Sequence, residues 1–358
     1  MILGKSLSFV KIINIALLTG LFLSLILLSW AIDYRFLIDP KYYFEAISLS
    51  SSIESALLAG HRWSVDVGFI LFSFIINQLL FIVNLESISS YNYQLVSASV
   101  VSVLLIVAYI SLMKFHNYRF LFVTALMLVV SPSFVGALFN IWRQGFAEFL
   151  ILLFIAFYNV KFFRFVFSFL ACSFHLNTAA LFLSVFFSKF IIKNLYYFVI
   201  VYFVFALIIY LFFGYLFEQY QALEVYANTN SKLPWIRLLF CVCTFIVPLV
   251  VFLTFRLDKK SVSTVSSICN DGVFRVAFFG VSLVILVGFV FALVMPAASE
   301  RIMHYYFILF PILNLLIYEK SNALGRLLIV FFSFFYLAAN FFIVMNSQTW
   351  LNVRFMVI

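Results

Sequence analysis

Asn140-Ile-Trp-Arg143-Gln144-Gly-Phe-Ala147 joins two long apolar runs, one from about 119 to 139 and one from 143 to 159. Arginine does not lose its charge in a protein. Near the centre of a bilayer it costs about 3 kcal/mol on insertion scales, so an arginine kept there faces an interior cavity or an anionic ligand, unless it reaches the interface from a span end. Position alone leaves both readings of Arg143 open. The surrounding chain settles the class of protein: with 66% hydrophobic and 10% charged residues, it lacks the charge that a water-facing surface requires. Apolar segments of this length span a bilayer as helices. The chain therefore reads as a single all-α, polytopic membrane domain over residues 1–358.

Twenty-two basic residues against 13 acidic ones give a net charge of +9, an excess that in a membrane protein records the positive-inside rule. The basic residues fall between apolar runs, and no basic cluster interleaved with exposed aromatics points to a nucleic acid. The four cysteines, Cys172, Cys241, Cys243 and Cys269, have neither zinc-site nor disulfide spacing. The histidines, His61, His116, His175 and His304, form no metal-binding pair. A mechanism without metal or cofactor is the expectation. Lys5 and Lys11 precede an apolar run from Ile12 to Trp30 with no small-x-small cleavage site, which reads as an uncleaved first span.

Apolar windows bounded by charge fall at about 12–30, 67–84, 94–113, 119–139, 143–159, 162–188, 194–213, 236–255, 274–295, 303–318 and 327–345, which predicts 10–12 transmembrane helices. The connections at Lys161–Arg164, Lys189–Lys193, Arg256–Lys260 and Lys320–Arg326 are basic and are placed in the cytoplasm, including the loop 256–273. Basic residues at both ends of 162–188 require an even number of crossings, which two half-helices meeting near His175-Leu-Asn-Thr178 satisfy. One long tilted span is the competing reading. In the front third, Lys114–Arg119 looks cytoplasmic, whereas counting spans places it outside.

Two polar stretches, 31–66 and 214–235, fall on the outer face in this topology. Asp39, Tyr43, His61 and Asp66 stand in the first, and Glu218, Glu224 and Tyr226 in the second. Aromatics interleaved with acids and amides suit sugar rings. An interfacial aromatic belt accounts for the same residues. The serine-rich patches Ser48–Ser55 and Ser261–Ser267 read as loops.

Gln144 and Glu148 share a helix face one turn apart, with Arg143 directed elsewhere. Arg301, His304 and Tyr305 lie at i, i+3 and i+4, so one face presents a cation, a titratable ring and a phenol. That face suits an anion and a sugar, or else Glu300 and Arg301 neutralise one another at the membrane edge. His175 is either a hydrogen-bonded core histidine or a proton acceptor, and Asp66 stands where a polar loop enters a span.

In order and spacing these pieces resemble the EpsG/Wzy family of bacterial surface-polysaccharide polymerases over nearly the whole chain. The matching residues are Asp39 with Tyr43, Asp66-Val-Gly-Phe69, Asn140-Ile-Trp-Arg143-Gln144 with Ala147, Phe174-His175 with Thr178, and Arg301 with Tyr305. One departure is Val67, where the family has proline, and the other is an apparent extra residue between His175 and Thr178. The resemblance implies a multi-pass enzyme of the bacterial inner membrane with a GT-C-like architecture, short outward-facing helices and an active site facing the periplasm. It implies an inverting, metal-independent glycosyltransferase that joins undecaprenyl-pyrophosphate-linked oligosaccharides into O-antigen or a related polysaccharide in lipopolysaccharide biosynthesis. Donor and acceptor are then both lipid-linked, and membrane lipid and a chain-length regulator are further partners. On this reading Arg143 and Arg301 hold the pyrophosphate and His175 or Asp66 accepts the proton. Asp39, Tyr43, Asn140, Gln144, Thr178, Tyr226, His304 and Tyr305 line the substrate. A lipid-linked sugar flippase also needs a cationic cavity, but its internal repeats are not visible here. A membrane acyltransferase could use a histidine beside an acid, yet no acyl-donor motif is present.

Overall fold

A computed structural model of the chain describes residues 9–31, 52–62, 66–82, 90–115, 118–132, 134, 136, 142–175, 178–179, 181–182, 233–257, 271–294 and 296–345, with isolated positions between 200 and 211. All regular structure among them is helical. The helices are α1 (Phe9–Ala31), α2 (Ile53–Arg62), α3 (Val67–Ile82), α4 (Ser90–Phe115), α5 (Tyr118–Val129), α6 (Trp142–Ala156), α7 (Lys161–Phe174), α8 (Leu233–Leu257), α9 (Gly272–Val294), α10 (Pro296–Lys320) and α11 (Ala323–Met345). Within α8, α9, α10 and α11 there are apolar stretches of crossing length, Pro234–Val251, Gly272–Leu293, Ala298–Lys320 and Ala323–Met345. Shorter apolar segments occupy Ile15–Leu28, Val67–Leu79 and Leu95–Tyr109. The chain is a polytopic membrane protein.

The helices group into two compact units, residues 1–178 with 337–358, and residues 179–336. In the first, α6 is the central element. Every residue from Gln144 to Ala156 is buried, as expected of a helix that is apolar all round, and α6 packs against α4 and α7. Helix α1 packs on α4 and α5, with Phe22 against Tyr109 at 5.5 Å and the Trp30 indole donating to Ser99 Oγ at 2.9 Å.

A four-residue connection, 157–160, folds α7 back on α6. Arg164 lies over the Tyr158 ring at 5.2 Å, fastening this turn by a cation–π contact. Along the outer face of α7, Phe162, Phe165 and Phe169 are exposed. Helix α7 stops at Phe174, and His175 is extended, with φ −156 and ψ 106. Helical geometry returns at 178–179 and 181–182. A single uninterrupted span over 162–188 is therefore not formed, and the break falls where the half-helix reading placed it.

The serine patch is not all loop. Ser52 caps α2, whose first turn is Ile53–Ser55: its Oγ accepts from the Ser55 amide at 3.1 Å, while Ser55 Oγ accepts from the Ser52 amide at 2.9 Å. This reciprocal pairing is a capping box in which serine replaces the usual glutamate. Composition hides it, because serine is read as a loop residue unless the spacing is checked.

In the second unit α10 is the central helix, buried along most of its length between α8 and α9. It starts on Pro296, which fits the first turn because its missing N–H would be unsatisfied there in any case. Gly288 of α9 lets Met303 approach: a Cβ there would lie 3.2 Å from Met303 Cγ. Ser299 Oγ donates to the Gly288 carbonyl at 2.7 Å. The hydroxyls of Thr244 and Tyr306 join α8 to α10. Phe240, Phe307, Phe310 and Tyr336 stack around them.

Candidate functional site

Three helix ends of the first unit bring Asp66, Arg143 and His175 together. Asp66 is the residue before α3, and its carbonyl accepts from the Phe69 and Ile70 amides at 3.0 and 3.1 Å. Aspartate is among the best residues for this N-terminal position. Val67 stands at the first helical position, where the family's proline would pre-set φ. The helix starts there regardless. Arg143 is the second residue of α6 and His175 ends α7. Because α6 and α7 form a hairpin, both lie at the end away from the 157–160 turn.

Asp66 Oδ2 is 3.4 Å from Arg143 Nη1 and 3.2 Å from His175 Nδ1. Side-chain exposure is 14% for Arg143, 18% for Asp66 and 8% for His175, enough to meet a ligand but too little for water to screen the charges. With Nδ1 held at a carboxylate, the imidazole proton sits on Nδ1 and the basic lone pair on Nε2. Asp66 thereby orients the ring and balances Arg143 at the same time.

Close packing sets this geometry. Gly68 lies against the C-terminal turn of α7: a Cβ there would sit 2.5 Å from Ser173 Oγ and 2.7 Å from the Ser173 backbone. Nothing larger than hydrogen lets α3 approach this closely. Beside it, Phe69, Phe72, Phe146 and Phe174 pack at centroid distances of 4.5 to 6.2 Å. These rings tie α3, α6 and α7 together just beneath the polar triplet.

Gln144 points into the core and donates through Nε2 to Glu148 Oε1 at 2.9 Å, both side chains being buried. The shared face of Gln144 and Glu148 is as the spacing predicts. Thr178 is also buried, and its Oγ1 donates to the His175 carbonyl at 2.8 Å, with its amide on the same oxygen at 3.0 Å. Thr178 thus fastens the break that presents His175. Asp39, Tyr43, Asn140 and Tyr226 lie outside the described residues.

In the second unit Arg301, His304 and Tyr305 follow one another along the first half of α10, Arg301 part-exposed and the other two buried. Glu300 has a partner on another helix. Its Oε1 pairs with Arg237 Nη1 of α8 at 2.5 Å. Arg237, only 7% exposed, is the functional candidate that the sequence reading passed over. The signal was the one that drew attention to Arg143, an arginine inside a span.

No curated protein and no solved structure matches the chain significantly. The model of one family, the EpsG family, matches residues 12–355. The match covers nearly the whole chain, including both buried arginine clusters, and the family is associated with Wzy-like polysaccharide polymerases. The protein belongs to the EpsG family.

Proposed function

We propose that this protein polymerises polyprenyl-pyrophosphate-linked oligosaccharide repeats into O-antigen or a related surface polysaccharide at the periplasmic face of the inner membrane, releasing the lipid pyrophosphate. The family supports a glycosyltransferase-like polymerase in polysaccharide biosynthesis. The observation that carries the finer reading is the single carboxylate oxygen of Asp66 held between Arg143 and His175.

In this mechanism His175 Nε2 takes the proton of an acceptor hydroxyl as its oxygen attacks the anomeric carbon of the donor from the face opposite the leaving group. The bond from that carbon to the phosphate oxygen breaks, and the lipid diphosphate leaves with the electron pair. Attack from the opposite face inverts the anomeric configuration. General-base help of this kind contributes about 10²- to 10⁴-fold. Asp66 keeps the ring in register and stabilises the imidazolium that forms. Negative charge grows on the leaving group, and Arg143 stabilises it more than the ground state. In the second unit Arg301, with His304 and Tyr305, offers a cation, a ring and a phenol that suit binding of a lipid-linked diphosphate. A charge-assisted hydrogen bond is worth about 1.5 to 3 kcal/mol, so Arg143 supplies about one to two decades of rate. The acceptor is a single lipid-linked repeat and the donor is the growing chain. The step uses no metal.

Helix length supports a recessed site. At 1.5 Å per residue α6 and α7 are about 22 and 21 Å long, against about 30 Å of hydrocarbon. On this reading Tyr158, Lys161 and Arg164 mark the cytoplasmic interface, and Arg143 and His175 fall within the membrane thickness on the other side. A lipid diphosphate reaches such a site without leaving the bilayer.

Replacing Arg143 by alanine in cells tests the assignment. The expected outcome is loss of polymer with single repeats accumulating on the finished lipid core. Unchanged polymer length and amount would overturn it. Unmodified core with repeats retained inside would instead indicate a flippase.

A further inference from the structure

The pair Arg237–Glu300 needs a reason beyond stability. Side-chain exposure is 9% for Arg237 and 30% for Glu300, and a partly buried ion pair contributes little to stability over well-packed apolar residues of the same size. A cluster built only to hold an anion gains nothing from a carboxylate beside Arg301. Yet Glu300 Oε1 is gripped by Arg237 Nη1 at 2.5 Å across two helices. Arg237 Nε is buried with no hydrogen-bond partner among the described residues, so the guanidinium keeps donor capacity that Glu300 does not use. Arg237 and Glu300 are each the fifth residue of their helices, α8 and α10, just past the first turn. Arg237, Arg301 and Glu300 sum to one formal positive charge, and His304 follows Glu300 one turn along α10.

We propose that Arg237 belongs with Arg301 to a subsite for a diphosphate headgroup, and that Glu300, held there by Arg237, limits how tightly the headgroup binds and so how fast it leaves. The inference rests on the polymerase reading, in which one lipid diphosphate must be released for every repeat added. A site with no opposing charge would bind that product too long, because the same attraction that stabilises the leaving group retains it. Glu300 trades affinity for turnover.

The test uses full-length protein in lipid nanodiscs, as wild type, Glu300→Gln, Arg237→Gln and the double variant. Undecaprenyl diphosphate is titrated, with undecaprenol as the headgroup-free control and inorganic pyrophosphate as competitor. Removing one charge beside a phosphate shifts affinity by about tenfold in a partly screened site. Glu300→Gln is expected to tighten undecaprenyl diphosphate binding by that factor and to lower both KM and kcat for a lipid-linked repeat. Arg237→Gln is expected to weaken binding, and the double variant to return near wild type. A purely structural pair does not predict tighter binding in Glu300→Gln. Equal or weaker binding in that variant overturns the inference, and Arg237→Gln need not fold for this to be read. Pyrophosphate competition supports headgroup recognition, whereas equal binding of undecaprenol overturns it. If wild type binds no diphosphate at all, the polymerase reading falls first and this inference with it.

Discussion

The two units place their arginines alike and partner them differently. Each is organised round one buried helix, α6 or α10, that carries an arginine near its N-terminal end. In the first unit the helices around the cation are short, and the acid and the histidine come from the ends of two other helices. In the second the helices are of crossing length, the acid is the residue just before the arginine on α10, and it is held by a second arginine. Helices that stop early expose backbone ends and polar caps inside the membrane thickness, where general acid–base chemistry can be sheltered from water. Long helices keep their ends near the boundary, which suits holding a charged headgroup. On the proposed reading the first unit carries the chemistry and the second carries affinity.

The sharpest way to break this division is at His175. Alanine there is expected to lower the polymerisation rate about a thousandfold, within the usual range for loss of a general base, with KM for the lipid-linked repeat little changed. Asp66→Asn keeps the size of the side chain but loses the charge that orients the ring, and is expected to fall nearly as far. If His175→Ala raised KM and spared kcat, the chemistry would not lie in the first unit.

A second test addresses packing. Gly68→Ala drives a methyl group into Ser173, with an overpacking cost of about 1 to 3 kcal/mol and an expected activity loss of tenfold or more, because Asp66 moves with α3. Removing the serine side chain as well, in Gly68→Ala with Ser173→Gly, is not expected to restore activity, since the clash also involves the Ser173 backbone. Full recovery would show that the close approach does not set the site.

The smallest effect is expected at Glu148. Glu148→Ala leaves the buried Gln144 amide without this acceptor, a cost of about 1 to 3 kcal/mol, read as a lower Tm in detergent. Glu148→Gln retains a carbonyl acceptor and is expected to stay near wild type.

Much of this was legible in the sequence, for reasons that differ by element. The helices follow from uninterrupted apolar runs and their charged ends, while the break at His175 is one of two readings that the basic-flanked segment 162–188 left open, beside a single tilted span. The shared face of Gln144 and Glu148 follows from helical spacing alone. The Asp66–Arg143–His175 contact spans separations of 77 and 109 residues, and no local pattern encodes which of three helix ends converge. Gly68 reads as one more glycine until Ser173 is placed against it. Arg237 was hidden by its neighbours, because a span counted from 236 absorbs it as a boundary charge, and only the contact with Glu300 singles it out.

The most direct measurement is extension of a defined lipid-linked repeat by purified protein, with the linkage and anomeric configuration of the product determined, for wild type, Arg143→Ala, His175→Ala and the double variant. The account predicts an inverted linkage, strong loss in each single variant, and a double variant little worse than His175→Ala, because groups acting on one step are not additive. Wild-type extension rates in both single variants, or a retained anomeric configuration, would contradict it.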